Sequence, residues 1–590
     1  MDKPAEYRRG ICSQCGGEVA PEDEVCSRCG AVLRPMKEVL PENNEPETAV
    51  PAQEIPADTE MVPERGRRRF TRKAKAVVAA VTAAAVALTA VAAVWLWRSR
   101  QDVRTPLLMY KEDALYVASS VNWNRLIELP TKIHSLSLDS ACIQHSRDGR
   151  YLYFSDVTDG QGRYTLYSCD LFSGNIRKVE DKVEGVYRLT PDGRTVVFLR
   201  GDELVCKSPD GSKTLAEDVQ RFMLANDGGA VICQTADGEL HRVSLSSGES
   251  TVIGAADEVC CISPAANSAY YVRDNVLYYW KNGQQEQKLR DAGYGVIIMN
   301  FGEEEAYLLI YQNAPAGMSF VESGEEIVEE PRQQLYYCRN GEIRLLAEDV
   351  RQYQTLGGAS EKAQLLYKVQ KTADDPVAWY YVQRTESSLI TQESEVTAAC
   401  LSGDGRELWF IAGEVVPPPV TSGFWGLQTG TLRAAQLQGG KIGAIRAVED
   451  HVMLLYACDK GDPLYLRESA ENRKNKMDND GILCRNGKVI AEKVAPFGVM
   501  CNPETETVYF SLSADEEQAY STLMKWNGHT VEVVEEKVVQ TELLARNQVA
   551  VLSGDDRILT VYDRGRAMEL GSGVSAFGAS HSAELIAGWW

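Results

Sequence analysis

Four cysteines near the amino terminus are the residues best suited by type and spacing to do chemistry. They stand as Cys12-Ser-Gln-Cys15-Gly16 and Cys26-Ser-Arg-Cys29-Gly30. Two Cys-x-x-Cys pairs supply the four thiolates of a closed tetrahedral zinc site, each pair closing a tight turn around the ion. A glycine after the second cysteine suits that turn, because the position often takes positive φ. The stretch between Cys15 and Cys26 leaves room for a short hairpin and little else. A module this small buries no core, so the metal must supply most of its folding energy. A redox dithiol needs a single pair, usually within a βαβ unit, and neither condition holds. Four protein ligands leave no open coordination position, so the zinc expected at Cys12, Cys15, Cys26 and Cys29 is structural.

The segment from Cys12 to Gly30 closely resembles the short zinc ribbons at the amino termini of many bacterial membrane proteins, over residues 10–34. Rubredoxin-type iron sites use similar knuckles, but much further apart.

Little else carries chemistry. There is no Gly-x-Ser-x-Gly elbow, so the nucleophile turn of an α/β serine hydrolase is missing. His134, His145, His241, His451, His529 and His581 are scattered, with no His-x-x-x-His or His-Glu-x-x-His spacing. No phosphate-binding or dinucleotide fingerprint appears. Lys476-Met-Asp-Asn-Asp-Gly481 imitates a calcium loop, but Lys476 and Gly487 stand where oxygen ligands belong, so it reads as a polar turn.

The elements that position these residues divide the chain. Residues 35–64 are rich in Pro, Glu and Ala without hydrophobic periodicity, the signature of a disordered tether. Residues 65–75 hold a run of Arg and Lys with no acid, and 76–97 follow without a single charge. At 1.5 Å per residue, a helix from Ala76 to Trp97 spans a hydrocarbon core. Trp95 and Trp97 suit an interfacial anchor, and the basic run places the amino terminus in the cytoplasm. So long a preceding segment favours an uncleaved signal-anchor over a signal peptide.

Residues 105–590 repeat. Ser146-Arg-Asp-Gly-Arg-Tyr-Leu-Tyr-Phe154, Thr190-Pro-Asp-Gly-Arg-Thr-Val-Val-Phe198 and Ser402-Gly-Asp-Gly-Arg-Glu-Leu-Trp-Phe410 are variants of one phrase, a turn leading into a strand. A second phrase interleaves, ending Leu-Ala-Glu-Asp-Val219, Leu-Ala-Glu-Asp-Val350 and Ile-Ala-Glu-Lys-Val494. One strand from the first phrase and three from the second make a four-stranded blade, the unit of a β-propeller. The turn and following Leu-Tyr strand resemble TolB-like and WD40-like propellers of bacterial envelopes, a likeness that implies fold and no chemistry. The fold class expected is therefore all-β. About eleven first strands can be counted, plus a last one at Ala583–Trp590, whereas single rings usually hold four to eight blades. Two consecutive propellers with a boundary near 300–360 are expected, with one ring of degenerate units as the alternative. The final strand could close a ring.

Residues 105–590 carry 46 Lys and Arg against 69 Asp and Glu, which excludes a nucleic-acid binder. The eleven cysteines outside the ribbon form no evident disulfide framework. Cys169, Cys206, Cys338 and Cys484 occupy strand positions as small hydrophobes, and exported thiols left unpaired suggest a weakly oxidising exterior. Cys260 and Cys261 read as two faces of one strand. Recognition is expected in four insertions: Gln312–Gln334, Lys371–Val377, Gly413–Gly423 and Arg467–Asp480. The function expected is a single-pass membrane binding or scaffold protein, its extracytoplasmic propeller recognising a protein, peptide or envelope component. The alternative is an extracytoplasmic hydrolase or lyase working from the propeller funnel.

Overall fold

The computed structural model describes residues 10–11, 18–19 and 105–582, apart from 132–142, 314–331, 357–362, 414–428, 471–479, 514–519 and shorter internal gaps. Two compact units divide after Ala85, and each is described by itself. In the first, Gly10 pairs with Val19 and Ile11 with Glu18 in an antiparallel hairpin. Residues 12–17 connect these strands, so the hairpin brackets the first cysteine knuckle and not the stretch between the two knuckles. The four cysteines, the tether, the basic run and the 76–97 segment lie outside the described residues, as does most of the calcium-like turn. Among the described residues no helix is long and apolar enough to cross a membrane.

The second unit consists of four-stranded antiparallel blades whose strands follow chain order in every blade but the first. Blade 1 combines Leu107–Lys111, Ala114–Ala118 and Ile127–Leu129 with Val574–Ala579. Blades 2 to 11 begin at about residues 143, 184, 219, 258, 296, 350, 395, 452, 494 and 538. Several blades are continuous with the next. Val350 pairs with Gln333 in blade 6 and with Val369 in blade 7. Val452, Val494 and Val538 are shared between blades in the same manner.

This sharing accounts for the second phrase. The residue before each such valine is left-handed: Asp349 at φ 55°, His451 at 60°, Lys493 at 56° and Lys537 at 54°. A left-handed residue turns the strand from one pairing direction to the next, and costs a side chain roughly 1–2 kcal/mol relative to the right-handed region. Burial of the following valine in the core offsets that cost.

The first phrase is equally physical. Ser146 Oγ donates to Asp148 Oδ1 at 2.7 Å, and the same oxygen accepts the Arg150 N–H at 3.0 Å. Thr190 with Asp192, and Ser402 with Asp404, repeat this geometry at 2.6 and 2.7 Å. The glycine that follows is left-handed, at φ 65°, 63° and 66° for Gly149, Gly193 and Gly405, which is why glycine recurs there. Around Ser263 the aspartate is lost and Ala266 takes the left-handed position at φ 51°, so the backbone turn survives the degenerate sequence.

A hydrophobic cluster lies at every junction between consecutive blades. Tyr270 and Leu277 of blade 5 pack with Leu308 and Tyr336 of blade 6, and Tyr307 of blade 6 packs with Val350 and Leu365 of blade 7. Among the described residues no break between blades falls at 300–360, and the eleven blades described follow one another in one ring, which is the alternative of a single ring and not the pair of propellers. The ring closes where Leu107 and Met109 of blade 1 share a core with Leu552 and Val561 of blade 11. The closing strand is Val574–Ala579, paired antiparallel with Leu107–Lys111. Ala583–Trp590 lies outside the described residues, but His581 and Ser582 pair in parallel with Gln144 and His145 on the first strand of blade 2.

The cysteine expectations fit this frame. Cys169, Cys206, Cys338 and Cys484 all sit buried on third strands of their blades. Cys260 and Cys261 share the strand Glu258–Ile262, which bulges between Val259 and Cys261.

Candidate recognition surface

Strands alternate in direction across an antiparallel blade, so every connection from a second to a third strand leaves the same face of the ring. The four insertions picked out in the sequence are all connections of this type, on blades 6, 7, 8 and 9. They run through 312–332, 370–377, 414–429 and 469–480. On blades 3, 4 and 5 the equivalent turns are only 201–202, 236–238 and 274–275. Blade 10 has a connection of this type at 513–520, as long as that of blade 7, so the long loops are gathered on one face across blades 6 to 10. Nothing in their sequences signals this neighbourhood; the repeat register creates it.

At the roots of the blade 6 and blade 7 loops lies a cleft of about 540 Å³, lined by Tyr311, Gln333, Arg351–Gln354, Trp379, Val396 and Thr397. Tyr311 and Gln333 face each other across the blade 6 loop. Arg351 to Gln354 stand on the first strand of blade 7, and Val396 and Thr397 on that of blade 8. The Arg351 guanidinium donates to the carbonyls of Gln370 and Lys371 at 2.8 and 2.9 Å, tying down the blade 7 loop. Beneath the cleft, Lys368 is 5% exposed and pairs with Glu395 at 2.7 Å. Trp379 Nε1 donates to the same carboxylate at 3.1 Å, which fixes the indole. Gln354 Nε2 donates to the Ala399 carbonyl at 3.1 Å, linking blades 7 and 8. Gln333 is 3% exposed, and its side-chain oxygen accepts no hydrogen bond. Burial and then the nearby Tyr311 raise the Tyr353 hydroxyl above its ordinary value, so it remains a donor at neutral pH.

Aromatic rings, carboxamides and one arginine make a lining suited to polar ligands with apolar faces. The described lining holds no cysteine, histidine, serine or carboxylate, and its hydroxyls are those of Tyr311, Tyr353 and Thr397.

Two further clefts open where the Asp-Gly-Arg turn of one blade meets its predecessor. Between blades 7 and 8 a cleft of about 980 Å³ is lined by Tyr381, Arg384, Glu386 and Asp404–Arg406, among others. Tyr381 donates to Gln364 Oε1 at 3.0 Å, and burial pushes its hydroxyl up to about 12. Hydrogen bonds from Ser402 and the Arg406 N–H lower the Asp404 carboxyl, so it is ionised and unsuited to proton donation at neutral pH. Between blades 2 and 3 a cleft of about 590 Å³ gathers Arg177, Lys178, Arg194 and Lys207 around Tyr151 and Tyr153. Arg194 and Arg406 occupy the same place in their turns, so the repeat itself delivers a cation to both.

Among the described residues no group of three or more His, Cys, Asp or Glu could hold a metal ion. One arrangement was not legible in the sequence. His241 Nε2 lies 2.9 Å from Glu239 Oε2, and its Nδ1 lies 3.3 Å from Ser250 Oγ. The three residues resemble a hydrolytic triad in contact order. They stand on the third and fourth strands of blade 4 and line none of the three clefts.

No protein family matches the chain, and no curated protein matches it in sequence. Solved structures match in fold. The tricorn protease is 13% identical over 79% of this chain, at a TM-score of 0.25. An oligogalacturonate lyase in complex with manganese is 13% identical over 60% of this chain and 86% of its own length, at 0.25. Dipeptidyl peptidase 4 of Porphyromonas gingivalis is 10% identical over 74% of this chain and 60% of its own length, at 0.35. The chain spans about half, 46%, of the tricorn protease. At these identities and TM-scores the likenesses carry no argument, and the β-propeller is read from the blades themselves.

Proposed function

We propose that this protein is a membrane-anchored recognition protein whose propeller binds a protein, peptide or envelope component at the loop face of blades 6 to 10. The observation that carries this reading is the gathering of the long second-to-third-strand loops on one face of successive blades, 6 to 10, above a cleft lined by aromatic rings, carboxamides and an arginine. Ala76–Trp97 would be the single membrane span, placing the ribbon in the cytoplasm and the propeller outside. The hairpin of Gly10–Ile11 with Glu18–Val19 has Cys12 and Cys15 in its connection, an arrangement that fits a zinc knuckle. Zinc held by Cys12, Cys15, Cys26 and Cys29 would supply folding energy to that module.

Proximity labelling from the propeller in the native host tests the reading. The comparison protein has residues 312–332 replaced by the short Asp274-Asn275 turn of blade 5. Reproducible envelope partners, lost in a folded replacement variant, are the expected result. Partners that persist unchanged in that variant would overturn the assignment of the surface.

A second reading, that of a hydrolase, rests on Glu239, His241 and Ser250. It is weaker, because these residues line none of the three clefts described, in which a substrate would be oriented and shielded from water.

A further inference from the structure

The sequence offers no disulfide framework, yet the fold brings two distant cysteines into contact. Cys501 ends the first strand of blade 10, and Cys458 lies two residues past the first strand of blade 9. Their sulfurs are 3.1 Å apart although the residues are 43 positions apart in sequence. A disulfide bond is about 2.05 Å long, so roughly one ångström of approach separates this contact from a covalent link. Both side chains belong to the cluster that joins blades 9 and 10, where Leu464, Leu483 and Phe510 hold the two strands in register. Cys400 stands on the equivalent strand of blade 8, in a different cluster.

We propose that Cys458 and Cys501 are a disulfide site that staples the first strands of blades 9 and 10. Exposure sets the order of events: Cys458 is 5% exposed, whereas Cys501 is partly open to solvent. Cys501 is the thiol that meets an external disulfide. Its thiolate attacks one sulfur of that oxidant, forming a mixed disulfide and releasing one thiol. Cys458 then loses its proton to solvent and attacks the Cys501 sulfur, releasing the second thiol. The oxidant is reduced to two thiols, the two cysteines lose two protons and two electrons, and the balance is complete. The contact with Cys458, together with burial, raises the Cys501 thiol, so thiolate is scarce near neutral pH and oxidation is faster in mild alkali. The bond closes a long loop and restrains the unfolded chain. It does so beside the cluster that already holds blades 9 and 10 together.

The test uses the detergent-solubilised full chain, incubated with oxidised glutathione at mildly alkaline pH. Remaining thiols are then alkylated in denaturant and the peptides are mapped by mass spectrometry. The expected result is one cross-linked peptide pair joining Cys458 to Cys501, abolished by reductant, with a melting midpoint above that of the reduced protein. Cys501→Ser should show neither the pair nor the shift, and Cys400→Ser should keep both. Should Cys501→Ser fail to fold, the oxidised and reduced wild-type protein provide the comparison. Complete alkylation of both thiols after oxidation of folded protein would overturn the proposal. A Cys400–Cys458 link in place of the expected pair would overturn it equally.

Discussion

The Ser575 hydroxyl donates to the Tyr110 backbone carbonyl at 2.9 Å, joining residues 465 positions apart in sequence. This bond lies where the last described antiparallel strand enters blade 1, so the ring is closed by non-local pairing. The Gln540 side chain reaches the Phe577 carbonyl at 2.9 Å across the same seam, and the Arg557 Nε reaches the Val574 carbonyl at 3.0 Å. Phe577 and Val574 supply its apolar half.

Phe577→Ala should therefore destabilise the propeller by about 3–5 kcal/mol, the usual cost of removing a buried aromatic side chain. The check is a chemical-denaturation midpoint measured by tryptophan fluorescence. An unchanged midpoint would mean that the seam does not limit stability. Ser575→Ala removes one exposed hydrogen bond and should cost about 1 kcal/mol or less.

The left-handed residue before each shared valine makes a second prediction. Lys537→Val places a β-branched side chain at φ 54° and should cost at least about 1–2 kcal/mol. Lys537→Asn, which tolerates that conformation, should be neutral or slightly stabilising. Thermal melts of the two variants distinguish backbone strain from loss of the lysine charge, since both remove the charge.

Acid should loosen the Asp-Gly-Arg turns. Asp404 has its carboxyl held below the ordinary aspartate value of 3.8 by Ser402 and the Arg406 N–H. A folded value below the unfolded one contributes stability that is fully present above about pH 4, and is lost as pH falls through the depressed value. Wild-type melting temperature should fall below pH 4 more steeply than that of Asp404→Asn. Parallel curves for the two proteins would remove this turn from the acid response.

If the triad-like residues of blade 4 were catalytic, Ser250 would react with a fluorophosphonate probe. No labelling at Ser250 is expected, because it lies outside the three clefts described. Labelling of the native chain that disappears in His241→Ala would reverse the order of the two functional readings.

The ribbon and the propeller should be separable. One equivalent of zinc per chain is expected by elemental analysis, and Cys12→Ser with Cys15→Ser should release it. The melting transition of the propeller should be unchanged in that double variant. A lowered propeller transition would show that the two parts do not fold independently.

The sequence by itself determined the blades. Asp-Gly-Arg turns and Glu-Asp-Val or Glu-Lys-Val endings are local devices: a side-chain cap, a left-handed residue, a buried valine. Local devices are legible because neighbouring residues carry all their interactions. About eleven first strands could be counted for that reason, besides one at Ala583–Trp590, and eleven blades stand among the described residues. The sequence also marked the four insertions that line one face, although it gave no sign that they were neighbours.

Tertiary structure alone decided the rest. Whether eleven blades form one ring or two depends on which apolar faces meet across each junction, and alternating hydrophobicity is alike in either case. The closing strand proved to be Val574–Ala579, chosen by its register with Leu107–Lys111. The meeting of Cys458 with Cys501, and of Tyr311 with Arg351 and Trp379 around one cleft, likewise depends on equivalent positions in successive blades coming to lie side by side. Spacing along the chain cannot encode that proximity, because the ring brings residues together by blade register and not by sequence separation.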